Sequence, residues 1–355
     1  MNFFRRTLLL AASFLLASTA ATHAGVLDGV GVMGDSAADE YQFYNSDPGD
    51  RSFARNFVEL LATERNFNFG AFTTADRGSP RYQGYEYNWA RTRTTATASF
   101  DLAPGVDFRP LTVLGQQTGL AAQVTAHQVT LAMVLVGNND YLQYFLPGSG
   151  ANPANLGQQT VDMITNITGA CATVLGADPN VKMVIATIPD EKRSPAAQAA
   201  IAGALAANQV TQAQVDQLLG GITASINAYN GALASFASDP AWNGRVAIAD
   251  AHGLVESLAA NNPTQFGPWS LDVNSAGTST SDFWLPDGIH PGTIGQTMLA
   301  NLFIDTINAN FGTSVADIAP AEINGIGQIP EPATLGLLTV GALSLIRRKG
   351  RRTNA

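Results

Sequence analysis

A serine, an asparagine, an aspartate and a histidine stand in short polar stretches that could carry out chemistry on an acyl group. Ser36 closes the stretch Gly34-Asp35-Ser36, directly after the apolar run from residue 26 to residue 33. A hydroxyl on a tight turn between a strand and a helix lies where backbone N–H groups gather negative charge. On its own the stretch is a weak indicator, because small polar residues after a strand most often form an ordinary turn.

A histidine near the C-terminal end offers a base for this serine. In Asp287-Gly288-Ile289-His290 the acid precedes the histidine by three residues, with a glycine between them. A tight turn with this spacing can bring the carboxylate to the ring nitrogen that faces away from the substrate, where it fixes the tautomer and stabilises the imidazolium. The alternative is a surface turn in which the aspartate only caps its own backbone.

A neutral amide stands after a second apolar run. Residues 129–136 are apolar and end at Gly137, and Asn139 and Asp140 follow. Asp140, like Asp35, is expected to shape its turn rather than to react.

Together and in this order, the three stretches Gly34-Asp35-Ser36, Gly137-x-Asn139-Asp140 and Asp287-x-x-His290 resemble the motifs of the SGNH (GDSL-type) hydrolase family. The resemblance implies that Ser36 is the nucleophile, His290 the general base and Asp287 its orienting partner. It also implies that the backbone N–H of Ser36 and the side-chain amide of Asn139 donate to the oxyanion. The implied fold is a three-layer α/β/α sandwich with a mostly parallel, flavodoxin-like sheet.

One position departs from the family pattern. The third oxyanion donor of the family is the backbone N–H of a glycine a few residues after an Asn-aromatic-Ala stretch. Asn88-Trp89-Ala90 matches that stretch, but Arg93 occupies the place of the glycine. A backbone donor survives any non-proline substitution, although a side chain is unfavourable there if φ must be positive. The guanidinium would either favour anionic substrates or point to solvent.

Apolar runs that alternate with helical patterns predict the elements that position these residues. Strands are predicted at 26–33, 129–136, 181–188 and 245–249, with a short one near 85–89, and helices at 52–61, 114–127, 160–175, 196–205, 211–237 and 293–310. The helix from 211 is predicted to begin with Thr211 as its cap and Gln214 three residues on. This alternation is typical of an α/β fold with a mostly parallel sheet, in which ligands bind beyond the carboxyl ends of the strands. Residues 261–285 are predicted to be a long polar loop.

Both ends of the chain are expected to be processed. Residues 1–24 carry two arginines, an apolar stretch and small residues ending at Ala24, as in a secretory signal peptide.

Residues 330–355 begin with Pro330-Glu331-Pro332, continue with an apolar segment and end in an arginine-rich cluster. That order resembles the PEP-CTERM sorting tails of Gram-negative bacteria. It implies transient association with the inner membrane, processing by an exosortase and delivery to the outer surface or extracellular matrix; an ordinary C-terminal anchor is the alternative. A single catalytic domain would span residues 25–329.

Charge and composition exclude several classes of function. Removing both ends takes away seven of the 19 basic residues and one of the 28 acidic residues, which leaves a net charge of −15. Such a surface repels nucleic acid and anionic membranes. The sole cysteine, Cys171, excludes an intramolecular disulfide and is expected to be buried in a helix. No His/Cys/Asp cluster has metal-ligand spacing and no phosphate-binding loop is present, so neither a metal nor a nucleotide cofactor is indicated.

The remaining histidines are weaker candidates for a base. His127 precedes a strand and has no acidic neighbour in the sequence, and His252 follows Asp250 at the start of a predicted helix, where a structural role is favoured. The sequence therefore predicts a secreted serine esterase acting on short-chain acyl or O-acetyl esters, with a surface polysaccharide as one plausible target. Three alternatives stay open: a lipase-like esterase for longer acyl chains, a catalytically impaired surface protein that binds carbohydrate, and a purely structural surface protein. Residues 41–44 and 261–285 are candidates for shaping the acyl pocket.

Overall fold

The computed structural model describes residues 27–41, 53–75, 83–97, 113–145 and 151–323. The predicted signal peptide and the sorting tail lie outside these residues, so the structure does not bear on them. The strands are β1 (Val30–Gly34), β2 (Phe72–Thr73), β3 (Gly84–Tyr85), β4 (Leu131–Leu135), β5 (Lys182–Ala186), β6 (Val246–Ala249), β7 (Thr264–Phe266), β8 (Trp269–Ala276) and β9 (Asp282–Trp284). The helices are α1 (Phe57–Glu64), α2 (Val113–Thr125), α3 (Asn138–Leu142), α4 (Leu156–Ala177), α5 (Pro195–Ala206), α6 (Gln212–Ala237), α7 (Ala251–Ala260) and α8 (Thr293–Phe311).

Four parallel strands form the central sheet in the order β1-β4-β5-β6. The register aligns Gly34 with Leu135 and Val134 with Ile185. All residues of β1 and β4 are buried, as expected for strands covered on both faces. The predicted α/β fold with a parallel sheet is therefore confirmed. Because the strands run in the same direction, the residues that follow β1, β4 and β5 meet at one edge.

Helices flank the sheet in two layers. Helix α2 packs on α4 and α4 packs on α6, whereas α1 packs on α8, and both groups also contact the sheet. The rings of Phe57 and Phe303 join α1 to α8, with centroids 4.8 Å apart. Cys171 lies fully buried within α4, and burial raises the pKa of its thiol to about 12. The predicted buried position of this cysteine is thus confirmed. In the described part of the chain, no helix is long and apolar enough to cross a membrane.

Several predicted boundaries are wrong, each for a local reason. The helix predicted from residue 52 begins at Phe57, because Asn56 and Glu59 form a capping box that fixes its start. The strand predicted near 85–89 adds to the central sheet only a single bridge, between Val32 and Asn88. Helix α3, directly after Gly137, was not predicted.

The long loop predicted for residues 261–285 is instead a small sheet, with strands in the order β7-β8-β9. Along β8 the buried residues Trp269, Leu271 and Val273 alternate with the less buried Ser270 and Asp272. This period of two is the pattern of a half-buried strand. The abundance of Gly, Pro and Ser around it hid that pattern in the sequence.

The capping box of α6 provides a test of the helix prediction. Thr211 Oγ1 accepts a hydrogen bond from the Gln214 N–H (3.3 Å), and Gln214 Oε1 accepts one from the Thr211 N–H (2.9 Å). We expect Thr211→Ala to lower the free energy of unfolding by about 1 kcal/mol, measured by urea denaturation. Thr165→Ala, an exposed position within α4, serves as the matched control. A loss no larger than that of the control would contradict the capping role.

Candidate active site

Ser36, His290 and Asp287 form a continuous hydrogen-bonded chain. Ser36 Oγ lies 2.7 Å from His290 Nε2, and His290 Nδ1 lies 2.6 Å from Asp287 Oδ2. The serine is 7% exposed, so its hydroxyl lies at the floor of a depression rather than on an open surface. The structure thus brings together the serine, histidine and aspartate singled out in the sequence, although 254 residues separate the first two.

The turn between Asp287 and His290 fixes the carboxylate. Asp287 Oδ1 accepts hydrogen bonds from the backbone N–H groups of Ile289 (2.8 Å) and His290 (3.0 Å), while Oδ2 remains for the imidazole. Gly288 has a φ of +67°, which glycine adopts without a steric penalty, and its N–H donates to the Leu285 carbonyl. Burial alone would raise the pKa of Asp287, but the hydrogen bonds and charge of His290 hold this pKa below its ordinary value. The carboxylate is therefore ionised and can stabilise an imidazolium.

Ser36 is positioned by the end of β1. Both the N–H and the carbonyl of Gly34 are bonded to the side chain of Gln116, each at 2.8 Å. A Cβ atom on Gly34 would lie 2.6 Å from the Leu135 carbonyl oxygen, so only glycine fits against the neighbouring strand. Asp35 Oδ1 accepts the Ala37 N–H at 3.0 Å and closes the turn. The supporting role of Asp35 stays a prediction.

Tyr41 packs against the His290 ring and is itself hydrogen-bonded to Gln296. The ring of Tyr41 meets the His290 ring edge-on, with centroids 5.7 Å apart, and its hydroxyl accepts a hydrogen bond from Gln296 Nε2 at 2.6 Å. Tyr41 is fully buried. It therefore packs against the histidine, and the rest of the segment 41–44 lies outside the described residues.

Asn139 and Asp140 both face the segment that contains Arg93. The amide nitrogen of Asn139 donates to the Thr94 carbonyl at 2.9 Å, which leaves its second N–H for another acceptor. Asp140 accepts hydrogen bonds from the N–H groups of Ala96 (2.8 Å) and Thr97 (2.9 Å). Asp140 thus has the supporting position expected of it, and it ties α3 to this segment.

Gly137 lies between the end of β4 and the start of α3 and allows the chain to turn there. It has a φ of +126°, a conformation that L side chains rarely adopt. A Cβ atom here would also come within 3.3 Å of Ile188, Met163 and the Tyr229 hydroxyl. The turn role expected of Gly137 has a clear steric basis.

Arg93 has the backbone conformation of a glycine. Its φ is +67°, its side chain is exposed, and its backbone N–H has no hydrogen-bond partner among the described residues. The turn around it is tied to β1, because the Arg91 N–H donates to the Gly34 carbonyl at 3.1 Å. The residue thus offers a free backbone donor, and its guanidinium points to solvent rather than lining the cavity at Ser36.

A cavity of about 70 Å³ lies at Ser36 and His290. Its lining includes Asn139 of α3, Glu191, and the apolar residues Leu142, Leu254, Phe283, Trp284 and Leu299. The segment 261–285 therefore contributes Phe283 and Trp284 to the pocket wall, as the sequence suggested. Glu191 was not singled out from the sequence, although its place three residues beyond the strand predicted at 181–188 was an available signal. A second cavity of about 1050 Å³ is lined by α5, α6 and residues 144–145, and its lining does not include Ser36, Asp287 or His290.

The other two histidines serve different purposes. His252 Nδ1 lies 3.2 Å from the Ile188 carbonyl, and Asp250 caps α7 by accepting the Gly253 N–H at 3.0 Å. His252 therefore makes contacts that fit the structural role favoured by the sequence. The side chain of His127 is 80% exposed and contacts Asp178 at 2.8 Å, so it has an acidic neighbour in space that the sequence did not reveal.

In the described residues, no group of three or more His, Cys, Asp or Glu side chains is arranged to hold a metal ion.

Comparison with known families identifies the class of protein. A profile described as "GDSL-like Lipase/Acylhydrolase" matches residues 30–303, which is most of the chain. The protein belongs to this family of ester-hydrolysing enzymes. A second profile, the PEP-CTERM protein-sorting motif, matches residues 328–352 and confirms the resemblance of the tail. A motif of this kind suggests exosortase processing and a cell-surface protein of a Gram-negative bacterium.

Solved structures with a similar chain path have little sequence in common with this protein. A protein described as a GDSL-like lipase from Parabacteroides merdae is 11% identical, with a TM-score of 0.44 over 79% of this chain and 95% of the other. A family 3 carbohydrate esterase from Clostridium thermocellum is 13% identical, with a TM-score of 0.39 over 79% and 95%. The catalytic domain of peptidoglycan O-acetyltransferase A from Streptococcus pneumoniae is 11% identical, with a TM-score of 0.36 over 83% and 100%. Scores this low support no conclusion about substrate. A comparison with curated proteins finds no match.

Replacing Arg93 tests whether its side chain is needed for activity. Arg93→Gly keeps the backbone N–H and removes a side chain from a left-handed conformation that costs about 1–2 kcal/mol. We expect kcat/KM for p-nitrophenyl acetate to stay within about threefold and the free energy of unfolding to rise by up to about 1 kcal/mol. The neighbouring Thr92→Gly is the control, because Thr92 has no positive φ and should lose stability. A large loss of activity in Arg93→Gly would show that the guanidinium itself is needed.

Buried carboxyl groups near the site predict how stability depends on pH. Burial raises the pKa of Asp35 and of Glu40 to about 7, and that of Glu191 to about 8. These groups bind protons more tightly in the folded chain than in the unfolded chain. Their contribution is therefore fully present below about pH 4 and is lost as the pH rises through these values.

We expect the free energy of unfolding to fall by more than about 2 kcal/mol between pH 5 and pH 8.5, measured by urea denaturation. Glu191→Gln, which cannot ionise, should show a smaller decrease than the parent protein. Stability that is constant or increases over this range would contradict the assignment of these carboxyls as protonated.

Proposed function

We propose that the protein is a secreted serine esterase whose reaction passes through an acyl-enzyme on Ser36. The observation that carries the proposal is the 2.7 Å contact between Ser36 Oγ and His290 Nε2, with Asp287 on the far nitrogen of the same ring. A serine hydroxyl is a weak nucleophile unless a base removes its proton during attack. Here the base is within hydrogen-bond distance and is itself held by a carboxylate.

The geometry supports the following sequence of steps. Ser36 Oγ attacks the ester carbonyl carbon while His290 Nε2 takes the hydroxyl proton, and the carbonyl oxygen becomes an oxyanion. The imidazolium, stabilised by Asp287, then gives this proton to the leaving alkoxide, which departs as the alcohol. Water attacks the remaining acyl-enzyme with His290 again as base, and return of the proton to Ser36 Oγ releases the carboxylic acid.

Three donors are proposed for the oxyanion: the backbone N–H groups of Ser36 and Arg93 and the second N–H of the Asn139 amide. The Asn139 amide is already oriented by its bond to the Thr94 carbonyl. Loss of one such donor typically reduces the rate by about 10²–10³. Asp140 supports this arrangement by fixing the segment that carries Arg93.

The small cavity favours short acyl groups. Its volume is about 70 Å³. Pockets for drug-sized ligands typically measure about 300–1,000 Å³. An acetyl group is therefore a better match than a long acyl chain, and with the sorting motif at the C-terminus this makes O-acetyl groups on a surface polysaccharide the favoured target.

A catalytically impaired surface protein that binds carbohydrate is the second candidate. The observation that favours it is the φ of +67° at Arg93, where the family pattern has a glycine. In that case carbohydrate binding should persist while turnover is absent.

Hydrolysis of p-nitrophenyl esters of increasing acyl length tests the proposal. We expect activity to be highest on the acetate, to fall with chain length, and to drop by at least about 10³-fold in Ser36→Ala and in His290→Ala. The exposed residues Ser235 and His127, changed to alanine, are the matched controls and should retain full activity. Preference for long chains would indicate a lipase-like esterase. Absence of turnover in a well-folded protein would contradict the esterase proposal and favour the impaired form.

A further inference from the structure

Glu191 is a carboxyl group in the wall of the active-site cavity that the proposed mechanism does not use. It begins the short 3-10 helix Glu191–Arg193, just beyond the carboxyl end of β5. The residue is 8% exposed and lines the same cavity as Ser36 and His290. Its carboxyl oxygens have no hydrogen-bond partner in the part of the chain that the structure describes.

The neighbouring aspartate, Asp190, has hydrogen-bond partners for both of its carboxylate oxygens. Asp190 Oδ2 accepts the Thr223 hydroxyl at 2.6 Å and contacts Lys192 Nζ at 2.7 Å, and Oδ1 accepts the Lys192 N–H at 3.1 Å. Its carboxylate is therefore fully occupied by the protein. The difference between these adjacent acids indicates that Glu191 is available to a ligand.

Two more polar atoms of the cavity lining lack partners in the described residues. These are Asp35 Oδ2 and Asn138 Oδ1. Buried polar atoms are nearly always hydrogen-bonded, so the unpaired carboxyl of Glu191 in the wall of this cavity points to a ligand that supplies the missing partner.

The charges around Glu191 favour a neutral ligand. The titratable groups near Glu191 come from four places. Asp35 and His290 face the same cavity, and Asp190, Lys192 and Arg193 adjoin Glu191 in sequence. Asp140 lies on α3, and His252 and Glu256 lie on α7. Lys192 is paired with Asp190, and Arg193 with Glu256. Burial, followed by the charges of Asp35 and Asp190, raises the pKa of Glu191 to about 8. At neutral pH the group is thus a carboxylic acid, which can both donate and accept a hydrogen bond.

We propose that Glu191 is a specificity-determining residue that binds a hydroxyl group of the ester substrate beside the scissile bond. A hydroxyl also donates and accepts, so it matches the acid of Glu191. The site accordingly favours esters of polyhydroxylated alcohols, as in a sugar, over esters of plain alkyl alcohols. The inference rests on the proposed Ser36 esterase and narrows its substrate class.

A matched pair of acetates tests this specificity in the full chain. Methyl 6-O-acetyl-glucopyranoside and cyclohexylmethyl acetate both carry the ester on a CH₂ group attached to a six-membered ring, but only the first has hydroxyls. Release of acetate gives kcat/KM for each. We expect the parent protein to prefer the sugar acetate, and Glu191→Leu to reduce kcat/KM for that substrate by about 10- to 100-fold while leaving cyclohexylmethyl acetate unchanged or faster.

Glu191→Gln separates hydrogen bonding from ionisation. It should retain most of the preference for the sugar acetate at pH 7, because an amide still donates and accepts. In the parent protein this preference should decline above about pH 8, the pKa of Glu191, whereas the glutamine variant should show no such decline. Glu64→Leu and Glu64→Gln, at the end of α1 and outside the cavity, are the controls and should match the parent.

The outcomes distinguish the inference from the function on which it rests. Equal ratios of kcat/KM for the two acetates in the parent and in Glu191→Leu, with cyclohexylmethyl acetate still hydrolysed, would overturn the role of Glu191 alone. No hydrolysis of either acetate by the folded parent protein would overturn the esterase proposal and this inference with it. Thermal unfolding of each variant establishes that the comparison is made on folded protein.

Discussion

The hydrogen bond between Ser36 and His290 is the contact on which the rest of the site depends. The two residues come from opposite ends of the described chain, and in the proposed mechanism neither acts on an ester without the other. The serine is fixed by the end of β1 and the histidine by the turn that leads into α8. The bond therefore requires that the sheet, the small sheet β7-β8-β9 and α8 be assembled correctly. Catalytic geometry in this protein is a property of the whole domain.

The parallel sheet explains why the functional residues gather at one edge. Strands β1, β4 and β5 run in the same direction, so the residues after them meet beyond their carboxyl ends. Ser36, Asn139 and Glu191 each follow one of these strands within a few residues. The proposed nucleophile Ser36, the proposed oxyanion donor Asn139 and the proposed specificity residue Glu191 thus share one origin in the topology. The turn before α8 adds the histidine and its aspartate.

The sequence predicted the parts of the structure whose signals are local. The apolar strands after which Ser36 and Asn139 stand, and the capping box at Thr211, follow from periodicity and residue type over a few positions. The spacing of Asp287 and His290 predicted their contact for the same reason. The small sheet was missed because its alternating residues lie among many turn-forming ones. The partner of His127 and the unpaired carboxyl of Glu191 depend on which distant segments pack together, and that information is not contained in any short stretch.

The account as a whole requires a covalent acyl group on Ser36 during turnover. Rapid acid quench of the purified protein with p-nitrophenyl acetate, followed by mass spectrometry of its peptides, measures this directly. We expect one acetyl group on the peptide that contains Ser36, which disappears as the ester is consumed and is absent in Ser36→Ala. Ester hydrolysis without any acetylated Ser36, or an acetyl group carried by a different residue, would contradict the account.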